Sequence, residues 1–74
     1  MEQKTRKIVL TEREKRILEM VSNGFTNLEI SQKLNVKPPT ISTVILNALR
    51  KTGCINRSHL VRWGFENEVL KKEG

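Results

Sequence analysis

"TNLEISQKLNVKPPTISTVILNALRKTG", residues 26–53, holds two helical patterns joined by a tight turn. In the first, Glu29 follows Thr26 by three residues. That is the spacing of a capping box, in which each side chain takes the other residue's exposed backbone amide. Ile30 and Leu34 then share a face. A helix of about two turns is marginal alone, so packing must hold it. After Asn35 and Val36, Pro38 and Pro39 mark the start of the second pattern. Proline is tolerated in a first turn, where amides have no intrahelical partner. A proline also disfavours helical geometry in the residue before it, so Pro39 is expected to be the first helical residue. Ile41, Ile45, Ala48 and Leu49 make a buried stripe with Val44 at its edge, and Gly53 is the stop.

The pattern extends in both directions. "TEREKRILEMVSNG", residues 11–24, carries a second capping box in Thr11 and Glu14, an apolar face in Ile17, Leu18 and Val21, and a stop in Gly24. Beyond Gly53 a fourth helix is expected over about 58–70, capped by Asn56 or Ser58. Val61, Gly64 and Phe65 make one of its faces. Leu60, Trp63, Asn67 and Leu70 make another, at the spacing of a coiled-coil seam. The expected organisation is all-α, with a flexible tail over 1–9 and one domain over 10–71, its helices near 11–22, 26–34, 39–52 and 58–70. Two helices across a short turn form a helix-turn-helix, although a generic small helical bundle has the same periodicity.

A chain of 74 residues makes one small domain with a modest core. It needs efficient helix packing, a staple or a partner. Cys54 is the only cysteine, so no disulfide within the chain supplies the staple, and a cytosolic setting is expected. No apolar run approaches the ~20 residues of a membrane span. The start, MEQKTRKIVL, has too short an apolar run for a signal peptide. The net charge is +6, and its placement matters more than its size. From Ile30 to Phe65 there is no carboxylate, whereas Lys33, Lys37, Arg50, Lys51, Arg57 and Arg62 all lie there. A polyanion partner is the first reading of that block, and a solvated basic surface is the alternative. Nothing pairs a nucleophile with a base or builds a glycine-rich phosphate loop, so no enzyme is expected. The carboxylates of the first helix alternate with bases, as a solvated face does. One histidine, His59, and one cysteine make no metal site, and no cofactor is expected.

The chain resembles the LuxR/GerE-type helix-turn-helix domain. "LTEREKRILEMVSNGFTNLEIS", "LNVKPPTI", "NALRKTG" and "NRSHLV" carry the likeness, over residues 10 to about 65. The resemblance implies a four-helix DNA-binding domain whose third helix enters the major groove and whose fourth mediates dimerisation. It is closest in form to the family's free-standing members. It also implies that Thr26, Asn27, Thr40, Arg50 and Lys51 approach the DNA backbone, and that Ser42, Thr43 and Leu46 face base edges. Lys33, Lys37 and Arg57, at the ends of the helices, extend the phosphate-contacting set, and Asn47 joins the base-reading set or is a surface or dimer-neighbouring amide.

The departures from the family fall on this surface. The family's lysines are replaced by Leu28 and Ser42, and its histidine by Val44. Without a lysine or arginine to reach guanine, readout rests on hydroxyls and on methyl contacts from Thr43 and Leu46, which favours A·T-rich sites. Leu28, Val44 and Leu46 together would make an apolar patch for a protein, unless Leu28 and Val44 are half-buried. Trp63 is either core or the anchor of a dimer seam through Leu60, Trp63, Asn67 and Leu70. Cys54 is expected to be a buried small hydrophobe and His59 a solvated polar group. The functional expectation is a homodimeric, sequence-specific transcriptional regulator of a bacterium or its phage, cytoplasmic and nucleoid-associated, bound to double-stranded DNA. The alternative is an antagonist that pairs with a larger LuxR-type regulator, as a heterodimer, or with another protein.

Overall fold

The computed structural model describes residues 8–71. Within them the chain forms α1 (Glu12–Ser22), α2 (Asn27–Leu34), α3 (Pro38–Thr52) and α4 (Arg57–Glu66), with no strand among the described residues. The expected tail over 1–9 lies mostly outside them, as do the last three residues. No helix of the described residues is long and apolar enough to cross a membrane.

Both capping boxes form. Thr11 Oγ1 accepts from the Glu14 amide at 3.1 Å, and Glu14 Oε1 accepts from the Thr11 amide at 2.8 Å. Thr26 and Glu29 repeat the pair with the same distances. The helix ends are equally local. Gly24, with φ +90°, lets the Phe25 amide reach the Met20 carbonyl and its own amide reach Val21. This is a Schellman motif, which satisfies carbonyls of the last turn. Asn35 takes the same left-handed role after α2, and Gly53 after α3. The α2–α3 connection is short because one asparagine both ends α2 and turns the chain.

α3 lies at the centre and packs on α1, α2 and α4. Its Ile41, Ile45 and Ala48 meet Ile17 and Leu18 of α1, Ile30 of α2 and Leu60 of α4 in one buried cluster. Val44 and Leu49 are half-buried at its edge. Cys54 is buried, as a small hydrophobe.

Of the expected boundaries that change, two bear on the fold. α3 begins at Pro38, with Lys37 as its N-cap residue, so both prolines are helical. The restriction a proline imposes on its predecessor is borne here by Pro38 in the first turn, where it costs no hydrogen bond. α4 ends at Glu66 and does not run to Leu70. Glu68 takes a left-handed conformation, and the Val69 and Leu70 amides both donate to the Gly64 carbonyl, at 2.8 and 2.9 Å. The chain thereby folds back on its own helix. Gly64 makes this possible: a Cβ there would come within 2.7 Å of Leu70 Cδ1 and 3.1 Å of Leu18 Cδ2.

The coiled-coil seam expected over Leu60, Trp63, Asn67 and Leu70 is corrected with it. Leu60 is 1% exposed and Leu70 5% exposed, both within the core of this chain. Trp63 is half-buried against that core, and only Asn67 is fully at the surface. Leu70→Ala should therefore lower the domain's own stability by about 2–3 kcal/mol, the cost of a buried leucine truncation. Urea unfolding at several protein concentrations checks this. A loss of stability that appears only where copies associate would restore the seam.

Candidate nucleic-acid interface

The turn after α2 presents the outer face of α3. Ser42, Thr43, Leu46, Asn47 and Arg50 are exposed along it, and Lys37 is exposed at its start. Their spacing places them on one side of a helix, opposite Ile41, Ile45 and Ala48. Leu46 is 45% exposed in the middle of this face, and Leu28 on α2 is 56% exposed. Val44 is half-buried against the core, so it takes no part in an open apolar patch.

The residues expected at phosphates divide into two groups. Lys37 and Arg50 are exposed and make no ion pair among the described residues. Thr40 is half-buried in the first turn of α3, and Thr26 is exposed with its hydroxyl oxygen capping α2. Lys33 stands over the Phe25 ring, 5.4 Å from its centroid, where a cation is weakly held by the ring face. The other three have firm partners inside the chain. Lys51 Nζ is 2.8 Å from Glu14 Oε1. The Arg57 guanidinium donates to Asn27 Oδ1, and Asn27 Nδ2 donates to Ser42 Oγ at 3.2 Å. Asn27 thus ties the start of α2 to the first turns of α3 and the start of α4.

Glu14, expected as the capping partner of Thr11 and on a solvated face, makes the cap but is buried, 7% exposed. The signal was present, since Glu14 precedes Ile17, Leu18 and Val21 at three, four and seven residues, on their face. Burial pushes its carboxyl up, but the Lys51 ammonium and the Thr11 amide outweigh burial and hold it below its ordinary value. Asn56 is the α4 cap, accepting from the His59 amide at 2.9 Å. His59 is exposed, and its Nδ1 accepts from the Ile55 amide at 3.2 Å, which fixes the loop before α4.

Residues 8–64 match the model of the bacterial regulatory proteins of the luxR family. The chain belongs to that family. The matched span contains the whole helix-turn-helix, α2 and α3, and nearly all of α4. The chain is similar to a probable transcriptional regulator, ycf29, of Pyropia yezoensis, at 40% identity over 97% of this chain and 32% of that protein. It is similar to the transcriptional activator protein ExpR of Pectobacterium parmentieri, at 34% identity over 88% of this chain and 26% of that protein. The CsgBAC operon transcriptional regulatory protein of Escherichia coli K12 is 35% identical over 85% of this chain and 29% of its own length. The chain therefore spans about a third or less of the curated relatives it matches. No solved structure matches it.

Because the folded carboxyl of Glu14 titrates below its unfolded value, its stabilising contribution is complete above the unfolded value and is lost as pH falls through the folded one. Glu14→Gln should flatten the loss of stability on acidification between about pH 6 and pH 3, read by urea unfolding. Lys51→Met should destabilise the domain at neutral pH, since it leaves a buried carboxylate short of its cation. An acid limb as steep in Glu14→Gln as in the parent would assign the acid sensitivity to another group.

Proposed function

We propose that this chain is the DNA-binding part of a transcriptional regulator, with α3 in the major groove. The observation that carries the reading is the outer face of α3: exposed, free of carboxylates and bounded by Lys37 and Arg50. Ser42, Thr43, Leu46 and Asn47 are the base-reading set. Lys33, Lys37 and Arg50 supply the cations for phosphates, with Thr26 and Thr40 as neutral donors. Lys51 and Arg57 contribute positive potential more than direct contacts, because each is already engaged within the chain.

Two copies pair on DNA through α4. The seam is an outward stripe of His59, Arg62, Trp63, Glu66 and Asn67, which replaces one that includes Leu60 and Leu70. Trp63 is the one large apolar side chain of that stripe, on a helix of ten residues. The DNA half-sites, about one helical turn apart, hold the pair together. A second reading, an antagonist that binds a larger LuxR-type regulator or another protein, draws on exposed Leu28 and Leu46. Lys37 and Arg50, without an ion pair among the described residues, favour DNA, since a decoy has no use for phosphate contacts.

Selection of bound sequences from random duplex DNA at two salt concentrations tests both. The expected result is a pseudo-palindromic, A·T-leaning motif with steep salt dependence. Lys37→Ala and Arg50→Ala should each lower the salt slope by about one and weaken all sequences alike. Leu46→Ala should change the motif more than it changes binding to random DNA. Binding without an enriched motif, together with capture of a LuxR-type regulator, would turn the assignment to the antagonist.

A further inference from the structure

The bonds around Asn27 have a direction, and the direction has a chemical consequence for Ser42. An arginine guanidinium is a donor only. Arg57 therefore demands the oxygen of the Asn27 amide, and the structure has it there. The NH₂ end is then left to face Ser42, to which it donates. A serine oxygen has one O–H to give and two lone pairs. One lone pair of Ser42 is taken by Asn27. Its O–H donates to nothing in the chain among the described residues. Ser22, Ser31 and Thr52, also in helices, give their hydroxyl hydrogens to carbonyls of the preceding turn, Glu19, Leu28 and Ala48. Ser42 sits on the exposed face of α3 with its hydrogen uncommitted among the described residues.

Resting on the DNA-binding reading above, we propose that Arg57 and Asn27 are positioning residues that make Ser42 a hydrogen-bond donor toward the groove. The three groups form a relay from cation to amide to hydroxyl to base. Each bond polarises the next in the same sense, which strengthens the last donor. A donor in the major groove selects acceptors: N7 and O6 of guanine, N7 of adenine and O4 of thymine. Cytosine offers only its N4 amine there, which the hydroxyl can meet only through its second lone pair, so it is the base this serine favours least. Arg57 and Asn27 then shape specificity without touching DNA.

Asn27→Asp reverses the relay. A carboxylate accepts only, so it keeps Arg57 as a partner and takes the hydrogen of Ser42. The outward side of Ser42 then presents lone pairs. The change sits in the first turn of α2, where an acid suits the helix end, and Arg57 balances its charge. Sequences bound by the parent domain, by Ser42→Ala and by Asn27→Asp are to be compared from the same random duplex pool. The position whose preference Ser42→Ala flattens identifies the base that Ser42 meets. There the parent should disfavour cytosine, and Asn27→Asp should shift the preference toward cytosine or adenine, a swing of roughly 3–10-fold for one hydrogen bond. The same preference in the parent and in Asn27→Asp would overturn the proposal. An NMR measurement without DNA keeps the two readings apart. The side-chain amide protons of Asn27 should exchange with water faster in Ser42→Ala than in the parent, and equal rates would also overturn it. A parent domain that enriches no motif at all would instead sink the DNA reading, whatever the exchange rates show.

Discussion

The carboxylate of Glu14 is the one charged group that this small core encloses among the described residues, and the arrangement of the helices follows from how it is satisfied. One oxygen takes the Thr11 amide at the start of α1 and the Lys51 ammonium in the last turn of α3. The residue therefore ends one helix cap and begins a tertiary contact. α1 and α3 are separated by the whole of α2 in sequence, so this pair adds a directional long-range contact to their apolar packing. The half-exposed lysine keeps its stem along the protein and its charge at the edge, which limits the desolvation cost of the pair.

The same economy governs the positive charges. The acid-free segment looks from composition like a reservoir of cations for a polyanion. In three dimensions part of it is committed: Lys51 to Glu14, Arg57 to Asn27, and Arg62 to Glu66 at 3.2 Å. The exposed Arg62–Glu66 pair contributes little to stability. Lys51 and Arg57 are different, since each joins two helices. Lys33, Lys37 and Arg50 make no ion pair among the described residues, and Lys37 and Arg50 stand at the two ends of α3. A helix with an uncharged, partly apolar middle and cations at its ends suits a groove whose walls are phosphates and whose floor is bases and methyl groups.

Most of the fold was legible because its signals are local. The Thr11–Glu14 and Thr26–Glu29 boxes, the glycine stops at Gly24 and Gly53, and the period of Ile41, Ile45 and Ala48 each act within a turn or two of the chain. The end of α4 was not legible by the same means. Leu60, Trp63, Asn67 and Leu70 keep a helical period, but the last of them reaches the core by a reversal at Glu68, a residue type that seldom takes a left-handed conformation. The deciding feature was Gly64, whose missing side chain admits Leu70 and Leu18, and no pattern on one helix reveals that closeness. On the candidate interface, residue types and faces could be read, but partners could not. That Asn27 turns inward to Ser42 and Arg57 depends on α2, α3 and α4 meeting at one point.

That meeting point joins two tasks that a paired groove-binding domain must keep in register. α3 carries the face proposed to read bases, and α4 carries the stripe proposed to meet a second copy. Arg57 is the first residue of α4, Ser42 lies in the second turn of α3, and Asn27 bonds to both. The angle between the reading helix and the pairing helix is thus held on one side by a single amide and on the other by Leu60 against the buried face of α3. In a two-fold pair any change in that angle is doubled across the two copies and appears as a change in the spacing of the half-sites. In the proposed pair, the amide proposed to set the polarity of Ser42 would therefore also help set where the second Ser42 falls along the DNA. On that proposal, base preference at one position and tolerance for half-site spacing would be linked properties, because one side chain would support both.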